Sequence, residues 1–246
     1  MKLRVLALYP EQMNIYADRG NILFLQRRCE WRGIGFEHAS AGPGDGIDLA
    51  AHDLVYIGGG QDRDQRLVAE DMLRTKRDAL AGAVEDGAVV LAVCGGYQLL
   101  GHSYQLGDER IPGLALLDFE TVREPGARLI GNVAIEAEFG DGTLEVAGFE
   151  NHGGRTYLGP AAKPLGRVIR GHGNNGRDGF EGVRDRNLIG TYLHGPLLPK
   201  NARLADRLIA LALARGSGAV PDLEPLDDRL EDGAHESART AALQRG

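Results

Sequence analysis

The stretch Val89–His102, V-V-L-A-V-C-G-G-Y-Q-L-L-G-H, carries the strongest structural signal in the chain. An unbroken apolar run, Ala88–Val93, leads into Cys94 and two glycines, and Tyr-Gln-Leu-Leu follows at once. A short, fully apolar run bounded by glycine is typical of a strand that is buried on both faces. The pattern therefore predicts a strand, a tight turn and a helix, with the thiol held at the bend.

The same alternation of strand and helix continues through the first half of the chain. Apolar positions in residues 64–86 recur with helical spacing, and Gly87 is placed to end that helix. The other predicted elements are strands at Leu3–Tyr9, Gly35–Ala39 and Leu54–Ile57 and a helix at Gly20–Trp31. Strands that alternate with helices indicate an α/β fold with a mostly parallel sheet flanked by helices.

The second half of the chain has a different pattern. Its short strand-like segments, separated by turn residues, are Asn132–Glu138, Thr143–Phe149, Arg167–Ile169, Gly179–Val183 and Leu188–Leu193. They predict added antiparallel strands, after which Pro199–Arg215 returns to helix. We expect one domain over residues 1–216 and an acidic tail over 217–246, in which Glu236–Gln244 forms a surface helix or stays partly disordered.

Composition excludes several classes of protein. The 246 residues carry a net charge of −7 without a basic stripe, which argues against general nucleic-acid binding. No run of about 18 apolar residues and no signal-peptide pattern is present, so a cytoplasmic location is expected. The two cysteines are then expected to be free thiols, with Cys29 a structural residue of the first helix.

Functional groups in open α/β sheets gather at the carboxyl ends of strands. Ala92–Gly96 has the small-X-nucleophile-X-Gly form of a nucleophile elbow, in which small neighbours make room for a strained turn. A helix that begins at Gly95 would favour the thiolate of Cys94. The amide of Gly95 and one from the loop Gly58–Gly60 would donate to an oxyanion.

A cysteine nucleophile needs a base, and the chain has seven histidines. His194 follows a strand and precedes Gly195-Pro196, so it is the candidate presented at a strand end. His152, within Glu150–Gly154, is the rival. No Gly-Lys-Ser/Thr follows Gly58–Gly60, no dinucleotide fingerprint follows the first strand, and the histidines lack zinc-site spacing, so neither a cofactor nor a metal is expected.

The residues Cys94-Gly95-Gly96-Tyr97-Gln98 resemble the Cys-X-Gly-X-Gln motif of class I glutamine amidotransferases. Within that class the chain is most similar to the cobyric-acid-synthase-like branch and, inside it, to GatD-like glutaminase subunits of lipid II isoglutaminyl synthase. The resemblance extends over Tyr56–Asp62, Ala92–Gly101, Phe149–Tyr157 and Gly190–Asn201. It implies a flavodoxin-like fold and hydrolysis of glutamine to glutamate and ammonia.

The resemblance also implies roles for individual residues. Cys94 would attack the side-chain carboxamide, and His194 would shuttle the proton. Backbone amides of Gly60 and Gly95 would hold the oxyanion. The substrate-binding residues would be Arg128, whose guanidinium suits the α-carboxylate, and Gln98. The implied partner is a MurT-like Mur ligase subunit in a heterodimer, acting on a lipid-linked acceptor at the inner membrane face.

One departure concerns the residue that orients the catalytic histidine. Many class I glutaminases follow that histidine with Pro-Glu, whereas His194 is followed by Gly195-Pro196-Leu197. There are three possibilities for this third residue: another side chain of this chain supplies it, the partner supplies it, or the enzyme works as a Cys-His dyad without it. We favour a group from the partner. The alternative functions are a glutaminase for cobyric acid or another amidation, a cysteine peptidase or γ-glutamyl hydrolase, and a non-catalytic binding module.

Overall fold

The computed structural model describes residues 1–14, 19–60, 62–140 and 142–244. The described strands are β1 (Lys2–Leu8), β2 (Gly35–Ala41), β3 (Leu54–Ile57), β4 (Val89–Val93), β5 (Ser103–Leu106), β6 (Glu109–Pro112), β7 (Phe119–Arg123), β8 (Leu129–Glu138), β9 (Thr143–His152), β10 (Gly154–Leu158), β11 (Gly166–Arg170), β12 (Phe180–Glu181), β13 (Val183–Asp185) and β14 (Leu188–Thr191). The described helices are α1 (Arg19–Glu30), α2 (Asp62–Asp71), α3 (Arg77–Glu85), α4 (Gly95–Leu99), α5 (Ala202–Ser217) and α6 (Arg229–Gln244).

The central sheet has the strand order β13-β14-β4-β3-β1-β2. Its strands are parallel except β13, which pairs antiparallel with β14 at one edge. The parallel part has the order of a flavodoxin-like sheet, so the predicted α/β fold with a mostly parallel sheet is confirmed. β3 and β4 are buried along their whole length, as their unbroken apolar runs predict.

Two hydrophobic cores lie on opposite faces of this sheet. Alternating residues of β1 supply both of them, Leu3 and Val5 on one face and Leu6 and Leu8 on the other. The first face is covered by α1 and α5, and the second by α2 and α3. The predicted helix over 64–86 is in fact two helices, because a π-helical turn, Met72–Lys76, interrupts it.

Two smaller sheets extend the domain, with orders β10-β7-β5-β6 and β12-β11-β8-β9. The antiparallel hairpin of β8 and β9 was predicted, although both strands are longer than expected and reach Leu129 and His152. Strands β5, β6, β7 and β10 were not predicted. The segment Gly179–Val183, predicted as one strand, is divided at Gly182, which has a φ of 63°.

The acidic tail forms an ordered helix at its end. α6 packs against β8 and β9, and Ala242 is buried there. The segment before it is tied to α1, because Arg28, whose side chain is fully buried, forms ion pairs with Asp228 and with Asp206 of α5. The division at residues 216 and 217 stays a prediction.

Among the described residues, no helix is both long and apolar enough to cross a membrane. Gln61 of the Tyr56–Asp62 stretch and Asp141 of the predicted turn at 140–142 lie outside the described residues.

Candidate active site

Cys94 occupies a strained bend between β4 and α4. Its φ of 52° and ψ of −107° lie where residues other than glycine are rarely found, which costs about 1–3 kcal/mol. The Cys94 amide donates to the carbonyl of Thr191 on the neighbouring strand at 2.8 Å. A Cβ atom on Gly96 would lie 2.7 Å from the carbonyl oxygens of Ile57 and Gly58, so only glycine fits there without a shift. α4 has five residues, so its dipole is small.

The two predicted oxyanion donors lie side by side. A Cβ atom on Gly95 would be 2.9 Å from the backbone nitrogen of Gly60, which places the two backbones in near contact. The loop is tied to the elbow because the Gly96 amide donates to the Gly58 carbonyl at 3.1 Å. The side chain of Met13 covers Gly60 from the other side. The arrangement suits an oxyanion hole, and that role stays a prediction.

A narrow cleft joins four of the six predicted site residues, namely Gly60, Cys94, Gln98 and Arg128. The other residues that line the cleft are Gln65, Tyr104, Gln105, Leu106, Arg123, His152, Gly153 and Gly154. Gly95 is buried next to Gly60 and Gln65, both of which line the cleft. His194 lies deeper at the same edge of the sheet.

Gln98 is held by protein groups at both ends of its carboxamide. Its Oε1 accepts a hydrogen bond from Gln65 Nε2 at 3.0 Å, and its Nε2 donates to the Tyr192 hydroxyl at 3.2 Å. The Tyr192 hydroxyl is bonded in turn to Thr156 Oγ1 at 2.7 Å. One lone pair and one N–H of Gln98 remain for a ligand in the cleft.

Arg128 also lines the cleft, and it directly precedes β8 at the start of the β8–β9 hairpin. Its Nε donates to Asn151 Oδ1 and its Nη2 to the Asn151 carbonyl oxygen, both at 2.8 Å. These two bonds to one residue fix the plane of the guanidinium. A substrate carboxylate would therefore meet a cation that is already oriented.

His194 is fully buried just beyond β14. An antiparallel bridge joins its backbone to Phe149 of β9, with N···O distances of 2.9 and 3.2 Å. The Phe149 ring packs edge-on against the imidazole, with ring centroids 5.8 Å apart. Because β14 pairs with β4, this bridge holds His194 at the edge of the sheet where Cys94 lies.

The electrostatic surroundings of His194 favour its neutral form. Burial is the largest effect and lowers the pKa of His194 to about 4, and the charges of His152, Lys200 and Arg128 act in the same direction. The carboxylate of Glu150 acts in the opposite direction. At neutral pH the imidazole is therefore unprotonated, which is the form that a general base needs.

Glu150 and His152 form a buried cluster on β9. The Glu150 carboxylate accepts hydrogen bonds from the amide and ring of His172, both at 2.7 Å, and from the Gly173 amide at 2.9 Å. Burial alone would raise the pKa of Glu150, but the nearby histidines and these bonds hold it below its usual range. The His152 ring stacks on Tyr192 with centroids 3.6 Å apart.

Sequence reasoning missed part of this site. The sequence indicates His152 only as a rival base and gives no role to Glu150, although Glu150–Gly154 lies within a stretch that carries the resemblance. Gln65 and Arg123 gave no signal, because one lies inside an ordinary helical pattern and the other on the unpredicted strand β7.

Comparison with known proteins decides the family. A model described as the CobB/CobQ-like glutamine amidotransferase domain matches residues 4–202. The chain belongs to this family. The predicted class and its glutamine amidotransferase activity are thereby confirmed.

This amidotransferase is similar to two curated subunits, each named lipid II isoglutaminyl synthase (glutamine-hydrolyzing) subunit GatD. The first, from Streptococcus pneumoniae, is 40% identical over 230 residues, which cover 93% of this chain and 87% of that protein. The second, from Staphylococcus aureus, is 41% identical over 216 residues, covering 87% and 86% respectively. PurLQS from Thermotoga maritima shares the fold, with a TM-score of 0.60 at 20% identity over 87% of this chain and 98% of that one.

Proposed function

We propose that the chain is the glutaminase subunit of a lipid II isoglutaminyl synthase. It hydrolyses L-glutamine and passes the ammonia to a MurT-like Mur ligase subunit, which amidates the α-carboxyl of D-glutamate in the peptidoglycan precursor. The similarity to two GatD subunits over almost their whole length carries this proposal. The cleft supports it, since it combines a strained thiol, paired backbone donors and a fixed arginine.

The reaction begins when Cys94 gives its proton to neutral His194 and its sulfur attacks the Cδ atom of glutamine. The carbonyl oxygen takes the negative charge and accepts hydrogen bonds from the amides of Gly60 and Gly95. Protonated His194 then donates to the leaving nitrogen, the C–N bond breaks, and ammonia departs. The glutamyl thioester remains on Cys94.

Hydrolysis of the thioester completes the cycle. His194 takes a proton from water as the water attacks the thioester carbonyl, and the same amides hold the second oxyanion. The C–S bond breaks, the proton returns to the sulfur, and glutamate is released. Through both halves, Arg128 binds the α-carboxylate of the substrate and Gln98 contacts its polar atoms.

His194 needs an anion beside it in the protonated state. Burial and the charge of Lys200 lower its pKa, and this chain has Gly195-Pro196-Leu197 where many class I glutaminases have Pro-Glu after the catalytic histidine. We infer that a carboxylate of the partner subunit completes the site. The isolated chain would then turn over glutamine slowly, and full activity without the partner would contradict this part of the proposal.

A single substitution tests the function. The complex with the Mur-ligase-like partner is purified with Cys94→Ala, and amidation of lipid II is measured with glutamine or with ammonium salt as nitrogen donor. We expect glutamine-dependent amidation to be lost and ammonia-dependent amidation to be retained. The matched control is Cys29→Ala, because Cys29 is buried in α1 and burial raises its pKa to about 12.

Retention of glutamine-dependent amidation by Cys94→Ala would show that Cys94 is not the nucleophile. If the native complex hydrolyses glutamine but does not amidate lipid II, the glutaminase activity is supported and the proposal that lipid II is the acceptor is refuted. In that case a corrinoid substrate would be tested next with its own synthetase.

A further inference from the structure

Gln65 of α2 is a buried polar side chain without a role in the reaction as described. It is 3% exposed and lines the cleft together with Gly60 and Cys94. A Cβ atom on Gly95 would lie 2.5 Å from Gln65 Nε2, so the carboxamide packs directly on the backbone of the elbow. A long polar side chain is held in this position only when its bonds are satisfied.

The partners of Gln65 form a directed chain of hydrogen bonds. Gln65 Nε2 donates to Gln98 Oε1, and Gln98 Nε2 donates to the Tyr192 hydroxyl. Tyr192 is bonded to Thr156, which is bonded to Thr121 at 2.7 Å. Because Gln65 offers an N–H to Gln98, the Gln98 carboxamide has its oxygen toward α2 and its nitrogen toward Tyr192.

The space around Gln98 leaves little freedom for another arrangement. A Cβ atom on Gly154 would lie 2.7 Å from Gln98 Nε2, so the backbone of β10 closes the opposite side. Gln98 therefore presents one fixed lone pair and one fixed N–H to the cleft. If the amide were reversed, these two groups would exchange places. A ligand that fits the present arrangement would then meet a donor with its own donor and an acceptor with its own acceptor.

We propose that Gln65 is a positioning residue for glutamine, acting through Gln98. This rests on the proposed function, which takes glutamine as the ligand of the cleft and Gln98 as one of its contacts. Gln65 fixes which atom of Gln98 faces the substrate, and it does not contact the reacting carbon. Loss of Gln65 would weaken binding of the ground state and of the transition state alike, so KM would rise while kcat changed little.

The test measures glutamate release by the complex of the full chain with its partner. Gln65→Leu removes the donor while keeping the volume, and Gln65→Asn shortens the side chain so that it no longer reaches Gln98. For both variants we expect KM for glutamine to rise about tenfold, because Gln98 loses its fixed orientation and one hydrogen bond to the substrate is weakened, with kcat within about threefold. Gln26→Leu, on α1, is the matched control and should keep both constants.

A double substitution separates positioning from simple damage to the fold. In a Gln98→Leu background, Gln65→Leu should raise KM less than twofold further, because the group through which it acts is gone. The proposal is overturned if KM is unchanged in both Gln65 variants, if kcat falls at constant KM, or if the full effect persists without Gln98. Cys94→Ala in the same assay tests the nucleophile separately. If this variant still releases glutamate, the assignment of Cys94 fails, but the KM values of the Gln65 variants still test the positioning role.

Discussion

The pKa of His194 leads to a measurable dependence of stability on pH. Burial and the nearby cations lower that pKa from 6.5 to about 4 in the folded chain. Between these two values the unfolded chain binds a proton that the folded chain does not. The free energy of unfolding must therefore rise with pH across this window, and it must fall as the solution is acidified.

The size of the effect follows from the shift. Lowering the pKa from 6.5 to about 4 corresponds to about 3 kcal/mol, of which about 2 kcal/mol falls between pH 7 and pH 5. Glu181 acts in the opposite direction, because burial raises its pKa to about 8 and its protonated form is stabilised in the fold. A pH profile of the native protein alone would mix the two contributions.

Comparison with His194→Gln isolates the histidine. Both proteins are unfolded with urea at intervals from pH 5 to pH 7, and the difference in unfolding free energy is plotted against pH. The contribution of Glu181 cancels in this difference. We expect the native protein to lose about 2 kcal/mol relative to the variant on going from pH 7 to pH 5. A flat difference would mean that His194 is protonated normally, and the argument for a neutral base would fail.

Three further substitutions test the elbow, the cleft and the tail. Gly96→Ala should lower the free energy of unfolding, measured in urea, by at least about 2 kcal/mol, because its Cβ meets two backbone oxygens. Gly82→Ala, in open space on α3, is the control and should raise it by up to about 1 kcal/mol. Equal effects of the two substitutions would refute the steric argument. Arg128→Lys should raise KM for glutamine about tenfold, because lysine cannot make the two-point contact with the α-carboxylate. In the control variant Arg27→Lys, KM should be unchanged. Arg28→Met should cost about 3 kcal/mol and expose the tail to proteases, because it leaves the partly buried Asp228 without its cation and Asp206 with Arg32 alone.

The sequence was most informative where one residue type satisfies a local requirement. β4 is buried on both faces, so its apolar run could be assigned without knowledge of its neighbours. The glycines after Cys94 mark a tight turn in the sequence, but the backbone oxygens for which Gly96 makes room lie on Ile57 and Gly58, far away along the chain. The strand β7 was missed for the opposite reason. It is held by contacts distant in sequence, such as the bond between Thr121 and Thr156, which no local window contains.

The residues of the candidate site show the same distinction between local sequence signals and contacts that are distant in sequence. Cys94 and His194 are marked by their positions at the ends of strands, and their residue types limit what they can do. Gln65 carries no such mark, because a glutamine inside an amphipathic helix is ordinary until the fold brings it against Gln98. Orientation of side chains by other side chains is a property of the packed structure, and it is lost when the chain is considered one segment at a time.

The charge around His194 bears most directly on why a partner is needed. With a pKa of about 4, protonating the imidazole at pH 7 costs about 4 kcal/mol, against about 0.7 kcal/mol for an unperturbed histidine. The difference would slow a step that passes through the imidazolium by more than about a hundredfold unless an anion offsets it. The thiolate of Cys94 can do so only before it attacks carbon. A carboxylate brought by the partner would serve both half-reactions, and it would tie glutamine hydrolysis to the presence of the ligase that uses the ammonia.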